Sequence, residues 1–183
     1  MIAPAPGVLL IADPFLKDPH FGRTVVFLCD HQPQGSFGFV LSRQLRSTLD
    51  ELISGLPGCK MPVYYGGPVQ PDTLHFLHQY PELIPEANAV APGIYWGGNF
   101  ETVTELLQSG RLHLDKIKFF VGYSGWGVGQ LEEEMEEKSW ITVSANRKLV
   151  FNTPCGEIWK GSLQLLGGEF ARMINYPIDP QLN

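Results

Sequence analysis

One eleven-residue stretch constrains this chain more than any other. Residues 122–132 read Gly-Tyr-Ser-Gly-Trp-Gly-Val-Gly-Gln-Leu-Glu, four glycines interleaved with two large aromatics. Glycine has no Cβ, so its backbone reaches conformations and approaches closed to other residues. The pattern predicts a tight strand-to-helix turn in which the glycines seat Trp126. Behind it Val128, Leu131 and Met135 fall at helical spacing, with the glutamates of 132–137 as a solvated face. A phosphate cradle is the competing reading of such a turn. The spacing G-x-x-G-x-G-x-G matches neither a dinucleotide fingerprint nor a P-loop, since no Lys-Ser/Thr follows. Glu132, Glu133 and Glu134 would also face a bound anion at the helix start.

The rest of the chain reads mostly as short strands in its first 80 residues, with helices interleaved later. Gly7–Ala12 and Arg23–Cys29 are apolar on neighbouring as well as alternate positions, as strands covered on both faces are. A proline-punctuated loop from Asp13 through Pro19, His20 and Gly22 joins them. Gln32-Pro33-Gln34-Gly35 has hairpin chemistry and leads into a strand at Phe37–Leu41. A short helix is expected over Ser47–Ser54, with Thr48 and Glu51 spaced as a capping box and Gly55 as its stop. Pro62–Tyr65, Leu74–Gln79 and Ile94–Trp96 are expected strands, the first two flanking a Gly66-Gly67-Pro68 turn. Asn99 caps a helix that buries Val103, Leu106 and Leu107 and ends at Gly110. Lys116–Tyr123 alternates lysine with apolar residues before becoming wholly apolar. Trp140–Val143 reads as a strand, and Thr153-Pro154 opens a last helix carrying Ile158, Leu163, Leu165 and Leu166. Without repeats or linkers, this is one α+β domain over residues 1–183.

Composition narrows the function. No apolar run reaches the roughly 18–20 residues of a bilayer span, and residues 1–7 lack a signal peptide's basic start and apolar run, so a cytoplasmic protein is expected. Three scattered cysteines (Cys29, Cys59 and Cys155) read as free thiols. A net charge of −6 and thirteen dispersed basic residues speak against direct nucleic-acid binding.

No catalytic set emerges from the residues. Ser124 has Gly122 two positions before it but Trp126, not glycine, two after, so it is no nucleophile elbow. His75 and His78 would share a face on a helix, but on a strand residues three apart diverge, which disfavours a metal pair. Asp30-His31 ends a strand, where His31 reads as a polar partner of the following turn. Cys155, at an expected helix start, has no adjacent base. No cofactor and no metal is implied.

The motifs assemble in order. Leu9-Leu10-Ile11-Ala12, Phe21-x-Arg23-Thr24-Val25-Val26, His31, Gly35-x-x-Gly38-x-Val40-Leu41, Pro62-Val63-Tyr64-x-Gly66-Gly67-Pro68-Val69 and Leu77-His78 come first. Gly93-Ile94-Tyr95, Gly122-Tyr123-Ser124-Gly125-Trp126-x-x-Gly129-Gln130-Leu131-Glu132-x-Glu134, Trp140 and Trp159 follow. Together they resemble the bacterial AlgH/YqgE family across nearly the whole chain. Leu41-Ser42-Arg43-Gln44 stands where the family has Leu-Asn-Arg-Pro, and Ser124 where it has alanine. The resemblance implies a compact α+β fold with a bent, partly barrel-like mixed sheet surrounded by helices. It carries a transcriptional-regulator label but brings no catalytic residue, cofactor or substrate.

The expected function is a non-enzymatic binding or regulatory protein contacting a protein or small ligand. Arg23, His31, Arg43, Tyr65, Trp126, Gln130 and Glu132 are its candidate ligand-lining residues, mostly at strand ends and turns. The alternatives are a DNA-binding regulator and an enzyme whose site gathers His31, Arg43 and Glu132. An exposed sheet edge leaves a homodimer open.

Overall fold

The computed structural model describes residues 1–16, 18 and 21–176; Lys17, Pro19 and His20 of the first loop lie outside the described residues. Ten strands form one curled, half-barrel sheet. They are β1 (Val8–Ala12), β2 (Val25–Gln32), β3 (Gly35–Val40), β4 (Gln44–Thr48), β5 (Pro62–Tyr65), β6 (Val69–His78), β7 (Asn88–Ala91), β8 (Ile94–Trp96), β9 (Ile117–Trp126) and β10 (Trp140–Ser144). Their order is β10-β1-β2-β3-β9-β6-β8-β7, with β5 parallel to β9 and β4 beside β5. The helices are α1 (Leu49–Leu52), α2 (Phe100–Gln108), α3 (Gln130–Glu136), α4 (Ile158–Leu166) and α5 (Gly168–Arg172).

Period-two alternation sorts the core. Leu9 and Ile11 of β1, with Val25, Phe27 and Cys29 of β2, face one side of the sheet, where they cluster with Leu149, Val150, Phe151, Ile158, Trp159 and Leu163. Val8, Leu10, Val26 and Leu28 face the other side, beneath Leu131 and Met135 of α3. A third cluster joins Val63, Phe76 and Phe119 to Val103 and Leu106 of α2. Each fully buried phenylalanine or leucine here is worth about 1.5–3 kcal/mol relative to exposure.

β9 holds the sheet together by pairing with β3, β5 and β6. The joint is a crossing of bare backbones. A Cβ on Gly66 would lie 2.3 Å from the Gly122 carbonyl oxygen, and one on Gly122 would lie 2.4 Å from that of Gly67. Gly66 N donates to Val121 O, while Gly66 O accepts from Val40 N and from Ser124 Oγ. Gly122 itself has φ +69°, a conformation that favours glycine.

This crossing corrects the expected turn at 122–130. Gly122 to Trp126 are strand, and the turn is Gly127-Val128-Gly129, with Val128 78% exposed rather than packed. The glutamate run is also divided. Glu134 turns inward and its Oε2 accepts from both indoles, Trp126 Nε1 at 2.8 Å and Trp140 Nε1 at 2.7 Å. Gln130 completes the latch, accepting from Gly127 N and donating to Glu134 Oε1.

Other expectations shift locally. The helix over 47–54 shortens to α1 because Gln44–Thr48 pair with β5, and Thr48 Oγ1 donates to the Asp50 and Glu51 carboxylates instead of capping a backbone N–H. Asn99 caps α2 as expected, accepting from Thr102 N at 2.9 Å. Leu165 of α4 is 52% exposed, outside the apolar face. Lys118, in the stretch where lysine alternates with apolar residues, is buried. Its ammonium donates to Leu41 O and Val150 O and lies 4.1 Å from the centre of the Tyr64 ring.

Gly66→Ala should cost more than about 3 kcal/mol or prevent folding, because the clash is with backbone. Gly129→Ala, with open space around it but φ +72°, should cost only about 1 kcal/mol; urea unfolding of the two variants checks the ranking. Glu134→Ala strands two indole donors and should lose about 2–4 kcal/mol, Glu134→Gln about half as much, with the tryptophan fluorescence reporting the loosened latch.

Burial lowers the Lys118 pKa to about 8 from the 10.5 of an ordinary lysine. Between those values the unfolded chain binds the extra proton, so stability rises with pH. The penalty is fully present below about pH 8 and is relieved by about pH 10.5. Relative to Lys118→Met, the wild-type chain should gain up to about 3 kcal/mol across that window; a pH-independent difference in urea unfolding would contradict this.

Candidate functional site

A groove of about 670 Å³ opens where the β2–β3 hairpin, the end of β9, β6 and β8 meet. A β-bulge in β2 at Leu28/Asp30 re-aims the strand end, and an irregularity in β6 between Val69 and Leu74 splays that strand from β9. The groove's apolar walls are Phe37 of β3, Trp96 of β8 and Tyr123 of β9, with Val69 beside them. Phe37 stands edge-on to both others, with ring centres 4.9 Å from Trp96 and 6.0 Å from Tyr123 and interplanar angles of 63° and 76°. His75 crosses Tyr123 at 87° and takes a hydrogen bond contact with Thr73 Oγ1 through Nε2 at 3.0 Å. Burial pushes the His75 pKa down. The polar rim is Asp30, Gln32, Gln34 and Ser36 from the hairpin.

A polar chain runs along this rim. His31 Nδ1 is 2.6 Å from Ser36 Oγ, and His31 Nε2 is 3.3 Å from Glu132 Oε1 of α3. It has the residue types of a serine nucleophile, base and carboxylate. Ser36, however, lies within a regular ladder, opposite His31 of β2 on one side and Trp126 of β9 on the other. A nucleophile elbow instead projects its serine from a strained turn. What the chain does on this geometry is fasten the hairpin to α3 and fix the rim.

The seven sequence candidates do not form one site. His31 and Glu132 meet, as above. Arg43 lies over Tyr65, 5.9 Å from its ring centre, so the expected grouping of Arg43 with His31 and Glu132 is not built around the groove. Arg23 has φ +50°, stacks on Trp159 at 4.6 Å and donates to the Tyr176 carbonyl, tying β2 to the C-terminal helices. Trp126 lines the groove, while its indole packs with Phe21 and Trp140 on the opposite face. Gln130 belongs to the Glu134 latch.

Other candidates resolve into structure. His78 is fully buried; its Nδ1 accepts from Tyr80 N and its Nε2 donates to Gly97 O, which leaves neither nitrogen for a metal. Ser124 is buried and donates to Gly66 O at the strand crossing. Cys155 sits in a 3-10 turn ahead of α4, and burial pushes the Cys29 thiol pKa up. The residues that sequence reasoning missed as a site are Phe37, Trp96 and Tyr123. Their convergence is across strands that are far apart in sequence, and only the flanking period-two pattern hinted at their shared face.

No helix among the described residues is long and apolar enough to cross a membrane. The AlgH-like family model matches residues 9–171. A UPF0301 protein of Chlorobium limicola is 41% identical over 178 residues, covering 97% of this chain and 95% of that one. The solution structure of the AlgH protein from Pseudomonas aeruginosa superposes with a TM-score of 0.75 at 27% identity, covering 97% of this chain and 98% of its own. The crystal structure of protein DIP2367 from Corynebacterium diphtheriae shares the fold, with a TM-score of 0.81 at 20% identity over 96% and 94% of the two chains. With the ordered motifs, the curled ten-stranded sheet and these matches in hand, the chain belongs to the AlgH-like family.

Proposed function

We propose that this chain is a cytoplasmic, non-enzymatic binding protein that holds a small ligand with an apolar, planar body in the groove between β3, β6, β8 and β9. The observation that carries the reading is the cluster of Phe37, Trp96 and Tyr123 around one open space of about 670 Å³. Ligand sites typically occupy about 300–1,000 Å³ and join apolar walls to a few polar groups. Asp30, Gln32 and Ser36 supply such groups here.

The polar chain of Ser36, His31 and Glu132 supports binding rather than turnover, since it anchors the rim within regular sheet. Direct reading of DNA has no support in the groove, whose described lining contains no lysine or arginine. A regulatory role would then pass through the ligand or a protein partner.

A library of small aromatic compounds screened by thermal shift should yield binders that raise the melting temperature and perturb the NMR signals of Trp96 and Tyr123. Trp96→Leu should weaken them by about tenfold or more, the scale of about 1.4 kcal/mol for one lost aromatic wall. Binders that leave both signals unmoved, or an empty screen, would overturn the assignment, and no retardation of DNA is expected at low salt.

A further inference from the structure

Resting on that reading of the groove, we infer that its ligand is an organic cation, an alkylated or quaternary ammonium group carried on an apolar body, held by π faces and one carboxylate. Two independent features point the same way.

The first is the ring arrangement. Phe37 meets Trp96 and Tyr123 at 63° and 76°, so the three rings form walls in different orientations around the same space. A cation seated against the face of a ring that lines the groove is attracted by that ring's quadrupole, and alkylated ammonium groups suit such a site because their charge is diffuse and their desolvation cheap. A neutral aromatic ligand gains only stacking and burial from the same walls.

The second is the charge of the lining. Asp30 is its carboxylate, and no lysine or arginine lines it among the described residues. The backbone N–H of His31 and the side-chain amide of Gln32 both donate to Asp30 Oδ1, which fixes the carboxylate at the rim. His75, the imidazole of the wall, has its pKa lowered by burial, which disfavours its charged form. His31 points its Nε2 to Glu132, so the nearest imidazole on the rim is already matched by a second carboxylate. An anionic ligand would find one carboxylate and no fixed cation in this lining.

The test uses the intact chain and two isosteric probes, (4-hydroxyphenyl)trimethylammonium and 4-tert-butylphenol, which differ in charge at one atom. A third probe, 4-hydroxybenzenesulfonate, carries the opposite charge. Binding is followed by the NMR signals of Trp96 and Tyr123 and by calorimetry. The cation should bind at least about tenfold more tightly than its neutral isostere, the scale expected of a partly desolvated cation–π box. Asp30→Asn, which keeps the acceptor at Oδ1, should cut that preference severalfold, and Trp96→Leu should cut it further. Equal binding of the cation and the neutral phenol overturns the cation inference while leaving the groove a binding site. Tighter binding of the sulfonate overturns it as well. Binding of none of the three overturns both this inference and the reading beneath it.

Discussion

The fold depends on one contact between backbones. At Gly66-Gly67 and Gly122-Tyr123 two chain segments pass closer than any Cβ would allow. That approach lets Gly66 O accept from Val40 N and Ser124 Oγ while Gly66 N donates to Val121 O. β9 consequently has β3 and β5 as partners along its length and β6 as a third. Without that joint, the β10-β1-β2-β3 half of the sheet and the half built on β6, β8 and β7 would have no common strand. The groove lies at the joint, because two of its walls come from strands that meet β9 there.

The motif by which the chain is recognised is therefore mainly architectural. Within 122–134, Gly122 makes the crossing, Ser124 bonds into it, and Trp126, Gln130 and Glu134 clamp α3 to the sheet. Tyr123 and Gly125 of the same stretch face the groove. A partly buried carboxylate shared by two indoles fixes α3 in one position, and Glu132, two residues earlier on the same helix, then meets His31. Architecture and binding rim are connected through a single short helix.

Much of the fold was legible because burial imposes periodicity. β1, β2, β5 and β8 are apolar or aromatic runs, and Asn99 marks the start of α2 by its capping chemistry. β4 was not legible, since Gln44-Leu45-Arg46-Ser47-Thr48 is mostly polar and becomes strand by pairing with β5. β7, Asn88-Ala89-Val90-Ala91, lacks the large apolar and aromatic residues that mark the equally short β5 and β8. The glycines of 122–129 look like a turn in isolation; only the facing backbone of Gly66-Gly67 reveals that half of them belong to a strand. Of the site, His31 and Glu132 were named as residues but their meeting was not legible, and the pairing of Phe37 with Trp96 and Tyr123 depends on register across three strands. Lys118 escaped for a similar reason: its carbonyl acceptors, Leu41 and Val150, lie in distant segments.

The central position of β9 has a consequence for the order in which the chain can fold. During synthesis from the N-terminus, β3, β5 and β6 all emerge before residues 117–126 exist to pair with them. Their facing edges must wait, open, for a strand made later, and contacts so distant in sequence carry a loop-closure cost before they stabilise anything. β1 also waits for β10. The nascent chain thus passes through a stage rich in unpaired strand edges, the form most exposed to wrong partners. The arrival of β9 joins the two halves of the sheet, and Trp140 of β10, made later still, completes both the β1 pairing and the Glu134 latch.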